Sequence, residues 1–183
     1  MDKVKKMIKG CLQGRKTDQY RLYALHSKKM FGICLRYAAN HEEAQDVLQE
    51  GFIKVFQNLS SYQGKGSLEG WIRRIIVNTA IEKYRGKMYH LSMDDIAHEE
   101  ISINHHDQAT DMLHVKDILA LVQKLPVQYR LVFNLYALEG YSHKEIGETL
   151  RISESTSRSN LTRARMILKN KLNKESEVLL RVI

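Results

Sequence analysis

The chain has 183 residues, 43% of them apolar, and a formal charge of +8. That length holds one domain or two small ones, with enough apolar residues for real cores. Cys11 and Cys34 form no Cys-x-x-Cys pair, which argues against a thiolate zinc site and fits a reducing compartment, and no apolar run approaches the ~20 residues of a membrane span.

Residues 2–13 read as a short helix with Val4, Met7, Ile8 and Cys11 or Leu12 on one side, closed by Gly14. This N-terminus is basic, but Gly10, Gln13 and Gly14 interrupt it before a signal-peptide core forms, so the chain is expected in the cytoplasm. A second helix is expected from Asp18 to Ala39, with Leu22, Leu25, Met30, Ile33 and Tyr37 inward and Asn40 as break and cap. From His41 to Asn58 comes the cleanest periodicity: Ala44, Val47, Leu48, Gly51, Phe52, Val55 and Phe56 recur at i, i+3, i+4 and i+7. The opposite face carries Glu42, Glu43, Asp46, Gln49 and Glu50, either a solvated surface or a docking face for a basic protein.

Ser60 to Ser67 is a loop rich in Gly and Ser. Its Gly64-Lys65-Gly66-Ser67 lacks the spacing and preceding strand of a nucleotide-binding loop, and no cofactor is expected. Ser67 reads as the N-cap of a helix from Leu68 to Arg85 that buries Leu68, Trp71, Ile72, Ile75, Ile76 and Ala80. Tyr62, Lys65 and Ser67 on the loop, with Arg74, Asn78, Lys83 and Arg85 on the helix, mix rings, amides and cations. That mixture suits unpaired nucleic acid, where bases stack and cations track phosphates.

The charge is unevenly placed. Residues 1–90 hold 17 Lys/Arg against 8 Asp/Glu, residues 91–112 hold none against 6, and residues 113–183 hold 12 against 7. Two basic modules, 1–90 and 113–183, joined by an acidic linker over 91–112, point to two contacts on one polyanion. His90, His98, His105 and His106 lack the spacing of a metal site, so no metal is expected.

In the last module, Val115, Ile118, Leu119, Val122 and Leu125 form one helical stripe. Pro126 suits the first turn of a helix burying Tyr129, Val132, Phe133 and Tyr136, and Gly140 its C′ position. Ser142 and Glu145 have capping-box spacing, with Ile146 and Leu150 on one buried face; Ser153 is a second N-cap. Two short helices with a tight break form a helix-turn-helix. The second presents Ser155, Thr156, Arg158, Ser159, Thr162, Arg163 and Arg165, with Asn160 and Lys169, as donors for phosphates and base edges. Gly147 stands where Ala is common, and Ser157 where many such motifs place Val or Ile. No nucleophile and base stand at catalytic spacing, so no enzyme is expected.

Two motif sets, in order, resemble those of bacterial RNA polymerase sigma factors of the compact, extracytoplasmic-function (ECF) group. The first runs through Ala44-Gln-Asp-Val-Leu-Gln-Glu-Gly-Phe52 and Gly66-Ser-Leu-Glu-Gly-Trp-Ile-Arg-Arg74. The second runs through Leu125-Pro126, Tyr141-Ser-His-Lys-Glu-Ile-Gly147, Ser155-Thr-Ser-Arg-Ser159 and Arg163-Ala-Arg165. The resemblance implies an all-α fold: a region 2-like bundle and a region 4-like helix-turn-helix domain joined by the acidic linker. It implies that Asp46, Gln49 and Glu50 dock on the β′ clamp coiled coil of core RNA polymerase, and the 125–138 helices on the β flap. The Tyr62–Ser67 loop and the Asn78 helix would capture the melted minus-ten element. Arg158, Ser159, Thr162 and Arg163 would face the minus-thirty-five major groove. Promoter DNA, duplex and single-stranded, and core polymerase are the implied partners, and an anti-sigma factor is a further candidate. The competing readings are a stand-alone helix-turn-helix regulator, which leaves the acidic face unexplained, and an adaptor bundle that binds no DNA.

Overall fold

A computed structural model describes residues 2–91 and 115–182, with side chains over 3–86 and 118–172. All regular structure among the described residues is helical. The chain divides into two compact units, Met1–Lys83 and Tyr84–Ile183. The fold is thus the expected pair of helical domains, with the division inside a long helix. The acidic linker and its histidines lie outside the described residues, apart from His90 and Leu91 at the end of that helix.

The first unit contains α1 (Asp2–Leu12), α2 (Lys16–Tyr37), α3 (His41–Asn58), a 3-10 turn (Leu59–Ser61) and the start of α4 (Leu68–Leu91). Asn40 caps α3 as expected: its side chain accepts from the Glu43 N–H at 2.8 Å, while the Glu43 carboxylate accepts from the Ala39 N–H at 3.3 Å. The apolar stripe of α3 is buried from Ala44 to Val55. Burial of each large aliphatic side chain there contributes about 1.5–3 kcal/mol. Gly51 admits α4 at close range, since a Cβ at this position would lie 2.4 Å from Ile76 Cδ1. Expected burial fails on α1, α2 and α4. Leu25 is 62% exposed, and Val4 and Leu12 also face outward, so the core side of α1 is Met7 and Cys11. Trp71 is half-buried rather than core.

The second unit contains α5 (Val115–Gln123), α6 (Val127–Phe133), a π turn (Asn134–Leu138), α7 (His143–Leu150) and α8 (Glu154–Val182). Leu121 and Val122 of α5 are buried, as is Leu125 just beyond it, while Ile118 is 49% exposed. Pro126 is the N-cap of α6. Leu131, Val132 and Leu135 are buried, and Tyr136 faces outward. Tyr129 and Tyr136, expected in this core, instead meet polar groups of α8 and α7, and Phe133 is half-buried. Buried Arg130 donates to the carbonyls of Gln123 and Leu125, bolting the end of α5 to α6. Gly140, at φ 76°, closes the π turn. Helix α8 continues to Val182.

Candidate nucleic-acid interface

The helix-turn-helix is built as its caps require. Ser142 and Glu145 form the full capping box, and the hydrogen bonds from Ser142 hold the Glu145 carboxyl below its ordinary pKa. Ser153 caps α8, accepting from the Thr156 N–H at 3.0 Å. Between the helices, Arg151 adopts a left-handed conformation at φ 58°, a turn that L-residues rarely make. Gly147 makes this turn possible: a Cβ there would lie 2.9 Å from the Ile152 carbonyl oxygen.

Ser157, the unusual residue at the helix–helix contact, is fully buried, and its hydroxyl is 2.9 Å from His143 Nδ1. The His143 ring stacks on Tyr136 with centroids 4.6 Å apart. Burial lowers the His143 pKa, and the nearby Arg158 charge pushes the same way. A polar latch therefore replaces the usual apolar contact, with its buried hydroxyl satisfied.

Helix α8 buries Ser157, Asn160, Leu161 and Ala164. At 100° per residue, Ser155, Arg158, Ser159 and Thr162 cluster on the opposite side. All seven residues singled out on this helix are exposed. Ser159 and Thr162 hydroxyls donate back to the Thr156 and Arg158 carbonyls, which leaves their oxygens outward as acceptors. Arg158 pairs with Glu154 one turn earlier. Arg163 and Arg165 flank the strip: the first donates to the Tyr129 hydroxyl at 3.2 Å, and the second lies 5.7 Å from the Tyr136 ring centroid. Asn160 turns inward and is no surface donor. Glu154 and the exposed Met166 at the two ends of the strip were not anticipated; their i,i+4 spacing from Arg158 and Thr162 was the available signal.

In the first unit, Gly64 and Gly66 take positive φ on either side of exposed Lys65. The Tyr62 hydroxyl donates to the Gly66 carbonyl at 2.9 Å, closing the loop on itself. Ser67 caps α4, accepting from the Gly70 N–H at 3.0 Å. Trp71 sits beside Tyr62 with ring centroids 5.5 Å apart, and Arg74 and Asn78 are exposed on the next turns of the same side. The loop and α4 thus make one surface with two accessible rings, an amide and cations. Lys83 points the other way, its ammonium 3.4 Å from Asp46. Arg85 lies beyond the division, in the second unit, where it donates to the Thr149 carbonyl at 3.2 Å.

The third patch is the outward side of α3. Asp46, Gln49 and Glu50 lie along it, with Glu50 paired to Lys54 at 3.1 Å. Lys54 also pairs with Glu82 at 2.7 Å, and that bond foremost raises its pKa. Lys54 and Lys83 temper the acidic face. Gln49 borders an open groove of about 690 Å³ between α2 and α3, lined by Tyr23, Phe31, Leu48, Phe52 and Phe56. Polar residues beside an aromatic groove form a surface suited to a protein partner.

Compared with known proteins, residues 22–88 match Sigma-70 region 2 and residues 116–168 match Sigma-70 region 4. The ECF RNA polymerase sigma factor SigE of Mycolicibacterium smegmatis is 30% identical over 156 residues, 82% of this chain and 60% of its own. The chain thus spans less than two thirds of that relative. The RNA polymerase sigma factor SigZ of Bacillus subtilis is 32% identical over 131 residues, 69% of this chain and 71% of its own. The sigma factor RpoE of Bartonella quintana, solved in complex with the anti-sigma factor NepR, shares the fold. Its TM-score is 0.51 at 20% identity, covering 85% of this chain and 97% of that one.

Proposed function

The chain belongs to the ECF-type RNA polymerase sigma factors, and from that premise we propose that it joins core RNA polymerase and directs it to a defined set of promoters. The carrying observation is the outward strip of Ser155, Arg158, Ser159 and Thr162 on a helix-turn-helix, in one chain with a region 2 domain. A stand-alone regulator needs only the first of these.

The division of labour follows from the chemistry of each surface. The α8 strip reads duplex DNA at the minus-thirty-five element, where a good bidentate contact discriminates by about 1–3 kcal/mol. Arg163 and Arg165, held at its flanks by Tyr129 and Tyr136, contact phosphates. Tyr62, Lys65, Ser67, Trp71, Arg74 and Asn78 hold the melted minus-ten strand, at roughly 1–3 kcal/mol per stacked base. Asp46, Gln49 and Glu50 meet the β′ clamp coiled coil, and the α5–α6 region the β flap. Polymerase then supplies the effective concentration that couples two weak DNA contacts. An anti-sigma factor is a further proposed partner, supported by the RpoE–NepR complex of the same fold. The proposed modules are 1–90 and 113–183, although the compact units divide at Lys83, and the proposed site of action is the bacterial cytoplasm. Among the described residues no helix is long and apolar enough to cross a membrane.

Transcription in vitro with bacterial core polymerase and a genomic promoter library tests the proposal. The expected result is initiation at a small promoter class only when the chain is present. Failure to associate with core polymerase, alongside site-specific binding of DNA by the chain alone, would overturn it in favour of a plain regulator.

A further inference from the structure

We propose that the cleft between α1 and α2 binds phosphates of promoter DNA next to the melted element, an extension that rests on the sigma-factor reading above. The cleft has a volume of about 460 Å³, and its cations are Lys3, Lys6, Lys9, Arg15 and Arg21. The first 21 residues hold seven Lys/Arg against two Asp/Glu, so this end of the unit is far more basic than its docking face. Lys3, Lys5 and Lys9 make no ion pair among the described residues.

The one acid of the cleft is tucked away. A Cβ at Gly10 would lie 1.8 Å from Asp18 Oδ2, so the glycine lets this carboxylate press against α1. Arg15 covers it at 3.6 Å, its own side chain more than half exposed. What faces outward is cationic. Lys3, Lys6 and Lys9 follow one another at i, i+3 along one side of α1, over about 9 Å of helix axis. Like charges so placed destabilise an isolated helix. A row of this kind matches a string of anions better than a single compact one.

Position favours nucleic acid over an acidic peptide. Helix α1 packs on the 3-10 turn as well as on α2. That turn ends at Ser61 and runs directly into the Tyr62–Ser67 loop. The loop thus follows directly on a turn that touches α1, and on this proposal the next phosphates of a strand captured by the loop run along that helix.

The test uses holoenzyme assembled from bacterial core polymerase and the full chain, with a forked promoter fragment whose single-stranded arm extends past the melted element on either side. Lys3→Gln, Lys9→Gln and Arg21→Gln are combined; all three side chains are exposed, and an unchanged melting temperature verifies the fold. The expected triple variant binds core polymerase as the wild type does but releases the fork about tenfold faster near physiological salt. Its plot of log affinity against log salt is shallower by about 2, at ~0.7 per phosphate contact on a single strand. Trimming the arm to the melted element makes the two proteins equal. Equal release rates and slopes on the full fork would overturn the proposal alone. Loss of affinity for core polymerase without DNA would also overturn it, by assigning the cleft to an acidic protein. A wild-type chain that never joins core polymerase would overturn the sigma-factor reading and this proposal together.

Discussion

In the second unit, every outward residue of the candidate DNA strip rides on one helix. That helix is seated by the Ser153 cap, the Ser157–His143 latch and the Gly147 approach. In the first unit, the candidate strand site begins on a loop with positive φ at Gly64 and Gly66 and passes only at Ser67 onto a helix. The contrast matches the two forms of DNA. A duplex offers base edges at fixed positions, so its reader needs a fixed register. Unpaired bases must be gathered, and on the proposed function their holder combines a glycine-rich loop with the rings of Tyr62 and Trp71.

The largest effect that would sharpen this contrast comes from Tyr62→Ala with Trp71→Ala. Two stacking faces at about 1–3 kcal/mol each predict that the open complex decays roughly thirtyfold faster or more, while binding to duplex containing only the upstream element is unchanged. Equal loss on both DNAs, measured by filter retention, would erase the division. Next is Arg158→Ala, which should lower discrimination at one base pair by about 1–3 kcal/mol and leave polymerase affinity alone. If transcription from every promoter fell by the same factor, Arg158 would be a phosphate contact.

Smaller effects probe the supports. Asp46→Ala with Glu50→Ala should weaken core polymerase binding by ~1 kcal/mol, read by fluorescence titration, with no change in melting. Unchanged affinity would remove α3 from the docking face. Ser157→Val should cost about 1 kcal/mol of stability by leaving His143 Nδ1 without its partner, and His143→Phe in the same chain should recover part of it. Independent, additive losses in thermal unfolding would show that the latch is not a coupled pair.

The smallest effect is pH-dependent. Because the folded state lowers the His143 pKa, the unfolded state binds the proton more readily. The stability this group contributes is present above the ordinary histidine range and is lost as pH falls through the folded value. Acidification from pH 7.5 to 5.5 should therefore lower the melting temperature of the wild type more than that of His143→Gln. Parallel curves would assign the acid sensitivity to the other histidines.

The helices themselves were legible because their signals are local. Apolar spacing bounded α3, and Asn40, Ser67, Ser142 and Ser153 each cap the helix they announce. Burial on the mixed helices was less legible. Tyr136 and Trp71 look like core residues by spacing, yet each faces a polar or aromatic neighbour at the surface, because a large ring serves at a rim as well as in a core. The tertiary pairs were not legible at all. Nothing in a one-dimensional pattern ties Ser157 to His143, Lys83 to Asp46 or Asp18 to Gly10, since each depends on where a second helix lands. At the candidate site, residue types and the exposed strip could be read from the chain, whereas the inward turn of Asn160 and the turning of Lys83 toward Asp46 needed the packing.

The approach of Gly147 to the Ile152 carbonyl has an evolutionary consequence. The angle between α7 and α8 is held by main-chain proximity and by buried groups on the inner side of α8, none of which belongs to the exposed strip. The side chains at 155, 158, 159 and 162 can therefore change without tilting the helix that bears them. If the strip reads promoters as proposed, a lineage carrying this turn can acquire new promoter tastes by exchanging a handful of surface residues, leaving its architecture untouched.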